Sequence, residues 1–113
     1  MSEQPTSPEK REITDLEVID AIRKIGTDSA EEELAQKILV DWTIQEEAKV
    51  GPTSTDQIEF NIRRAKIYNS AGKVTEALEV LEDAREQAWN EWLNDLHLRI
   101  GIEIQKMQNK PTP

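Results

Sequence analysis

The sequence has 113 residues, no cysteine, four glycines and one histidine, and only 4% of it is aromatic. Each shortage excludes something. Without a thiol there is neither a disulfide framework nor a thiolate nucleophile. Four glycines leave little material for a loop that cradles phosphate, and no nucleotide-binding fingerprint occurs. The lone histidine, His97, has no partner at paired-histidine or HExxH spacing, so neither spacing marks a metal site. No turn dipeptide joins two alternating apolar runs, which removes the usual sign of a β-hairpin. No apolar run reaches the roughly 20 residues of a membrane span. The opening segment, MSEQPTSPEKRE, lacks the apolar core of a signal peptide. A cytoplasmic protein is expected.

Basic residues are also scarce: 14 Lys and Arg face 23 Asp and Glu, for a net charge of −9. Phosphates and anionic lipid surfaces are bound by Lys and Arg that displace counterions. Direct nucleic-acid binding and membrane binding are therefore both disfavoured. Acidity keeps a protein soluble, and it also suits docking on a basic partner surface or imitation of nucleic acid there. No group of residues marks a reaction centre. Glu31, Glu32 and Glu33 lack the spacing of a calcium loop and suit a helix start, where the dipole favours carboxylates. Ser54 and Ser70 have no general base in a recognisable context. The expectation is no enzyme, with no catalytic, cofactor-binding or metal-binding residues.

What the sequence does hold is helical periodicity, with 36% hydrophobic and 33% charged residues. Residues 1–12 carry two prolines and little that is apolar, and read as a disordered tail. A single helical domain is expected over 13–108. The first helix, about 14–25, opens on the capping box TDLE, with Thr14 as N-cap and Glu17 at N3, and Ile13 and Val18 suit a hydrophobic staple. Leu16, Ile19, Ile22 and Ile25 form its stripe, and Gly26 ends it. The second helix, about 29–49, offers Ser29 and Glu32 as another capping box and an apolar face of Leu34, Ala35, Ile38, Leu39 and Trp42. Gly51 and Pro52 stop it. The third helix, about 56–71, opens on Thr55 or Asp56. It places Ile58, Ile62, Ala65 and Tyr68 on one face and Phe60, Ile67 and Ala71 on the other, so it reads as the central helix. The fourth, about 74–108, is expected as one long helix, with a kink between Asn90 and Asn94 as the alternative. Its stripe runs through Ala77, Leu81, Ala84, Ala88, Trp92, Leu96, Ile100, Ile104 and Met107, a mean spacing of roughly 3.75 residues against 3.6 for a straight helix. Residues 109–113 read as a frayed tail. The fold expected is all-α, a four-helix antiparallel bundle or a helical layer with a long C-terminal helix.

Ala65, Tyr68, Gly72, Ala77, Leu81 and Ala84 stand in a register that resembles one tetratricopeptide repeat over about residues 58–88. Small residues at Ala65 and Ala77 let two helices approach, Gly72 frees the turn, and Tyr68 and Leu81 fill the rest. Asn61, Arg64 and Trp89 depart from the family's pattern. No second copy appears 34 residues earlier, where Glu31, Ile38 and Thr43 occupy the key positions. The resemblance implies a concave surface that binds peptides or helices, with Asn61, Arg63, Lys66, Asn69 and Ser70 as its polar arc.

The tryptophans divide by position. Trp42 and Trp92 lie on apolar stripes and are expected in the core, whereas Trp89 lies about 120° from Ala77 on the helix circle, away from the main stripe, where a tail or a second chain would cover it or, if exposed, it would serve as an interface anchor. Beyond it, Leu93, Leu96 and Ile100 continue an apolar strip that needs cover from the first two helices or another subunit. Charge is uneven. Residues 29–49 hold six acids and two bases, and residues 73–108 eight acids and four bases, so each carries −4, while residues 56–71 carry +1. The function expected is a small acidic adaptor or regulatory module that binds another protein through Asn61, Arg63, Lys66, Asn69, Trp89, Leu93, Leu96 and Ile100. The alternatives are an acidic inhibitor or nucleic-acid mimic, and a homodimer through the last helix.

Overall fold

The computed structural model describes residues 12–109. The expectations for residues 1–11 and 110–113 lie outside the described residues. Those described form an all-α protein of five helices: α1 (Asp15–Lys24), α2 (Glu32–Glu47), α3 (Ser54–Ser70), α4 (Val74–Asn90) and α5 (Asn94–Gln108). Internal contacts divide the chain at Ala48 and Lys49 into two compact units, where the sequence suggests one domain over 13–108.

The first unit is the α1–α2 hairpin. Thr14 caps α1 as its sequence predicts: the Thr14 hydroxyl accepts from the Glu17 N–H at 3.1 Å, and Glu17 accepts from the Thr14 N–H at 2.9 Å. Ile13 and Val18, the staple pair, are both buried. The Ile13 N–H donates to Gln45 Oε1 at 2.9 Å, which ties the start of α1 to the end of α2 and makes the hairpin antiparallel. Gly26 takes a φ of 88° just beyond the last turn of α1. α2 starts later than its sequence suggests, with Glu31 at the N-cap and no side-chain cap. The Ser29–Glu32 box does not form. Instead Glu32 accepts from the Asp28 N–H, and Ser29 accepts from Thr27. Leu16 and Leu34, expected on apolar stripes, are exposed, while Val18, Ala35 and Trp42 carry the burial.

The second unit packs three helices, α3, α4 and α5, around one core. α3 begins at Ser54, two residues ahead of expectation, because Thr53 and Asp56 form the capping box. A Cβ on Gly51 would overlap the Asp56 carboxylate, so glycine leaves room for that cap. Ile58, Ile62 and Ala65 on one face of α3 are buried, and so are Ile67 and Ala71 on the other. The first face joins Ala77, Leu81, Ala84, Ala88, Leu96, Ile100, Ile104 and Met107 in one core, with Tyr68, Leu78, Val80 and Leu93 packed against it. Each Ile or Leu fully buried there contributes about 1.5–3 kcal/mol.

The expected long helix over 74–108 is two helices. α4 ends at Asn90, and α5 turns back along it from Asn94. The α3–α4 and α4–α5 corners share one geometry. At the first, the Lys73 N–H reaches the Tyr68 carbonyl at 2.9 Å and the Gly72 N–H reaches that of Asn69 at 3.0 Å. At the second, the Leu93 N–H reaches Ala88 at 2.9 Å and the Trp92 N–H reaches Trp89 at 3.2 Å. Both are Schellman motifs, whose pivot residue is left-handed. Gly72 supplies it with φ 83°, and Trp92 with φ 62°. The roughly 3.75-residue spacing of the stripe therefore reflects a corner rather than a slow drift.

Candidate interaction surface

The α4–α5 hairpin leaves large apolar side chains at the surface, at its corner and along α5. Trp92 is 82% exposed, Trp89 63%, Leu98 65% and Ile102 53%. The expectation that Trp92 lies in the core fails for a local reason. At the pivot of the turn its side chain leaves the helical stripe, although its neighbours on that stripe, Ala88 and Leu96, stay buried. Trp89, off the main stripe, is exposed in this unit, and its ring lies 5.2 Å from the ring of His97 at a 48° tilt.

One depression adjoins this corner and a second runs along the hairpin away from it. The first lies between the starts of α3 and α5 and is lined by Thr55, Glu59, Trp92, Asn94, Asp95 and Arg99. Its lining includes a bidentate pair in which Arg99 Nη1 and Nη2 donate to Glu59 at 2.7 and 2.9 Å. The Arg99 hydrogen bond holds the Glu59 carboxyl below the usual carboxylate range, and Glu59 in turn raises Arg99. Further along, Lys66 pairs with Glu103 at 3.6 Å. Both pairs advance in the same direction along the two helices, so α3 and α5 run parallel. The second depression is a groove between α4 and α5, lined by Arg85, His97, Leu98, Gly101, Ile102 and Gln105, with Glu82 on its α4 wall.

The residues expected to bind a partner divide accordingly. Leu96 and Ile100 are core residues of the three-helix unit, and Leu93 is half-buried against that core. Residues of α3 and α4 cover this strip, so Leu93, Leu96 and Ile100 are corrected from binding to packing. Lys66 is engaged with Glu103, Asn61 accepts from Arg64 Nη1 at 3.2 Å, and Arg63 is half-buried. Asn69 is also half-buried, and its Oδ1 is a buried acceptor without a hydrogen-bond partner. Of the eight, Trp89 and Lys66 are exposed, and Trp89 is the only large apolar side chain among those two. Trp92, Leu98 and Ile102 were not anticipated. Leu98 and Ile102 were detectable, because they lie about 160° from Ile100 on either side of the helix circle, on the face that the buried stripe leaves to polar residues.

Among the described residues no three His, Cys, Asp or Glu side chains converge as metal ligands would, and no helix is long and apolar enough to cross a membrane. Comparison of the chain with protein-family models, with characterised proteins and with solved structures gives no significant match.

Proposed function

We propose that this chain is a protein-interaction module, an adaptor or regulatory subunit, and that it binds its partner through the α4–α5 corner. On this reading α3, α4 and α5 form a tetratricopeptide-like layer in which α5 takes the place of the first helix of a following unit. Trp92 carries the proposal. A bulky residue at positive φ costs about 1–2 kcal/mol that glycine would avoid. Here that cost sets a large ring in water rather than in a core. Strain held at an exposed aromatic side chain fits a binding role, since Trp is enriched among interface hot spots.

The test immobilises the full chain and compares capture by the native protein with that by Trp92→Gly and Trp89→Ala. A partner held by the native chain at high salt, and lost by both variants, supports the reading. A second reading is an acidic inhibitor that occupies a basic nucleic-acid-binding surface, favoured by the exposed Glu79, Glu82, Asp83 and Glu86 of α4. Capture of a basic partner that salt abolishes and the tryptophan variants leave intact would select it.

A further inference from the structure

Resting on the interaction-module reading, we infer that the α4–α5 groove is the seat of an amphipathic helix from a partner protein, with a bulky apolar anchor and Lys or Arg along one flank. Three observations converge on this occupant. First, the α5 wall offers a socket. Leu98, Gly101, Ile102 and Gln105 stand at i, i+3, i+4 and i+7, the four corners of a hole that accepts a knob from a facing helix. Gly101 opens that hole, because a Cβ built there would meet nothing within 4 Å. Glycine inside a helix costs about 1 kcal/mol relative to alanine, and no close approach within this chain requires it.

Second, the socket lies beside exposed apolar surface of the kind a helix face covers. Leu98 and Ile102 are more than half exposed, and Trp89, propped against His97, stands on α4 near one end of the groove. α4 covers the inner face of α5, and a helix laid in this groove would cover the next one round.

Third, charge selects the flank. α4 lines the groove with Glu82, which is paired with Arg85, and the exposed Glu79 and Glu86 lie about 60° and 40° from Glu82 on the helix circle, so a row of three carboxylates runs along that rim. Toward the groove the α5 wall presents His97, Gln105 and Gln108. A basic edge would therefore lie along the α4 rim. A second copy of this chain fits less well, since each would bring its own acidic α4 row and a net charge of −9.

The probe is a synthetic peptide of about 18 residues, five helical turns, with Leu and Trp at i, i+3, i+4 and i+7 and Lys along one flank; its isomer carries Glu in place of Lys. Calorimetry on the full chain is expected to show binding of the Lys peptide alone. Gly101→Leu should weaken that binding at least tenfold while raising the melting temperature, because it fills the socket yet improves helix propensity. Trp89→Ala should weaken it likewise. Equal binding to Gly101→Leu would reduce the effect to unspecific charge attraction and overturn the inference, as would no binding. So would a dimer of the native chain in sedimentation that Gly101→Leu abolishes, because a second copy would then own the groove. If Trp92 and Trp89 still govern capture of a partner while the Lys peptide fails, this inference falls and the broader reading stands. Capture indifferent to both tryptophans removes the broader reading itself.

Discussion

At the scale of single residues, the unusual expenditure is at Trp92. Gly72 makes the same turn 20 residues earlier without a steric penalty, so the comparison is internal to one chain. Trp92→Gly should relieve the strain and remove little packing, since the ring is largely in water. After the entropy that glycine adds to the unfolded chain, a gain of about 0.5–1 kcal/mol is expected, a rise of a few degrees in thermal melting. A loss of stability instead would mean that the ring holds the corner in place, and the binding role would lose its main support. Glu59 gives a second test at this scale. Arg99 lowers its folded pKa below the unfolded value, so the stabilisation is full above the ordinary carboxylate range and disappears as pH falls through the lowered folded value. The groups are roughly half exposed, so the contribution is at most about 1 kcal/mol. Urea melts of the native chain and of Glu59→Gln should differ at pH 7 and converge toward pH 2.

At the scale of elements, α5 shows how apolar residues on one helix divide between packing and surface. Ile100 and Ile102 are two residues apart and chemically identical, yet the first is fully buried and the second exposed. Ile100→Ala should cost about 2–5 kcal/mol through lost burial and a cavity, whereas Ile102→Ala should fall within about 0.5 kcal/mol of the native chain. Similar losses for both in chemical denaturation would contradict the orientation of α5. The same helix marks what the sequence reveals and what it withholds. Its stripe, Leu96, Ile100, Ile104 and Met107, was legible because helical periodicity is a local signal. The break before it was legible only as the alternative of a kink between Asn90 and Asn94 and not as a reversal, because neither glycine nor proline punctuates residues 90–94 and the pivot is a tryptophan. Thr14 and Glu17 announced α1 correctly, yet Ser29 and Glu32, an equally good pair on paper, were used in other bonds. Capping signals define where a helix can start, and the competing turn around Asp28, at φ 57°, decides whether it does. Thr53 was overlooked because Pro52 beside it reads as a break. Losing its cap in Thr53→Ala should cost about 1 kcal/mol.

At the scale of the whole molecule, charge acts on folding and on binding with opposite signs, and salt separates the two. A net charge of −9 repels itself most strongly at low ionic strength, where the screening length is about 30 Å at 0.01 M against about 10 Å at 0.1 M. Pairs that oppose this repulsion, among them Arg99 with Glu59, Lys66 with Glu103, Arg85 with Glu82 and Lys24 with Asp20, are substantially exposed on at least one side. Exposed pairs contribute about 0–1 kcal/mol each, and salt weakens them too. Self-repulsion spans the surface while each exposed pair contributes little, so relief of repulsion should win. Melting temperature is expected to rise between 0.01 and about 0.3 M NaCl, while affinity for a Lys-flanked helix in the α4–α5 groove falls over the same range. The apolar contacts of Leu98, Ile102 and Trp89 should leave a residual affinity that salt does not remove, since burial of apolar surface does not depend on screening. A melting temperature that falls with salt would show that the local pairs outweigh the global charge. An affinity that vanishes with salt would return the acidic face, rather than the tryptophan corner, to the centre of the binding problem.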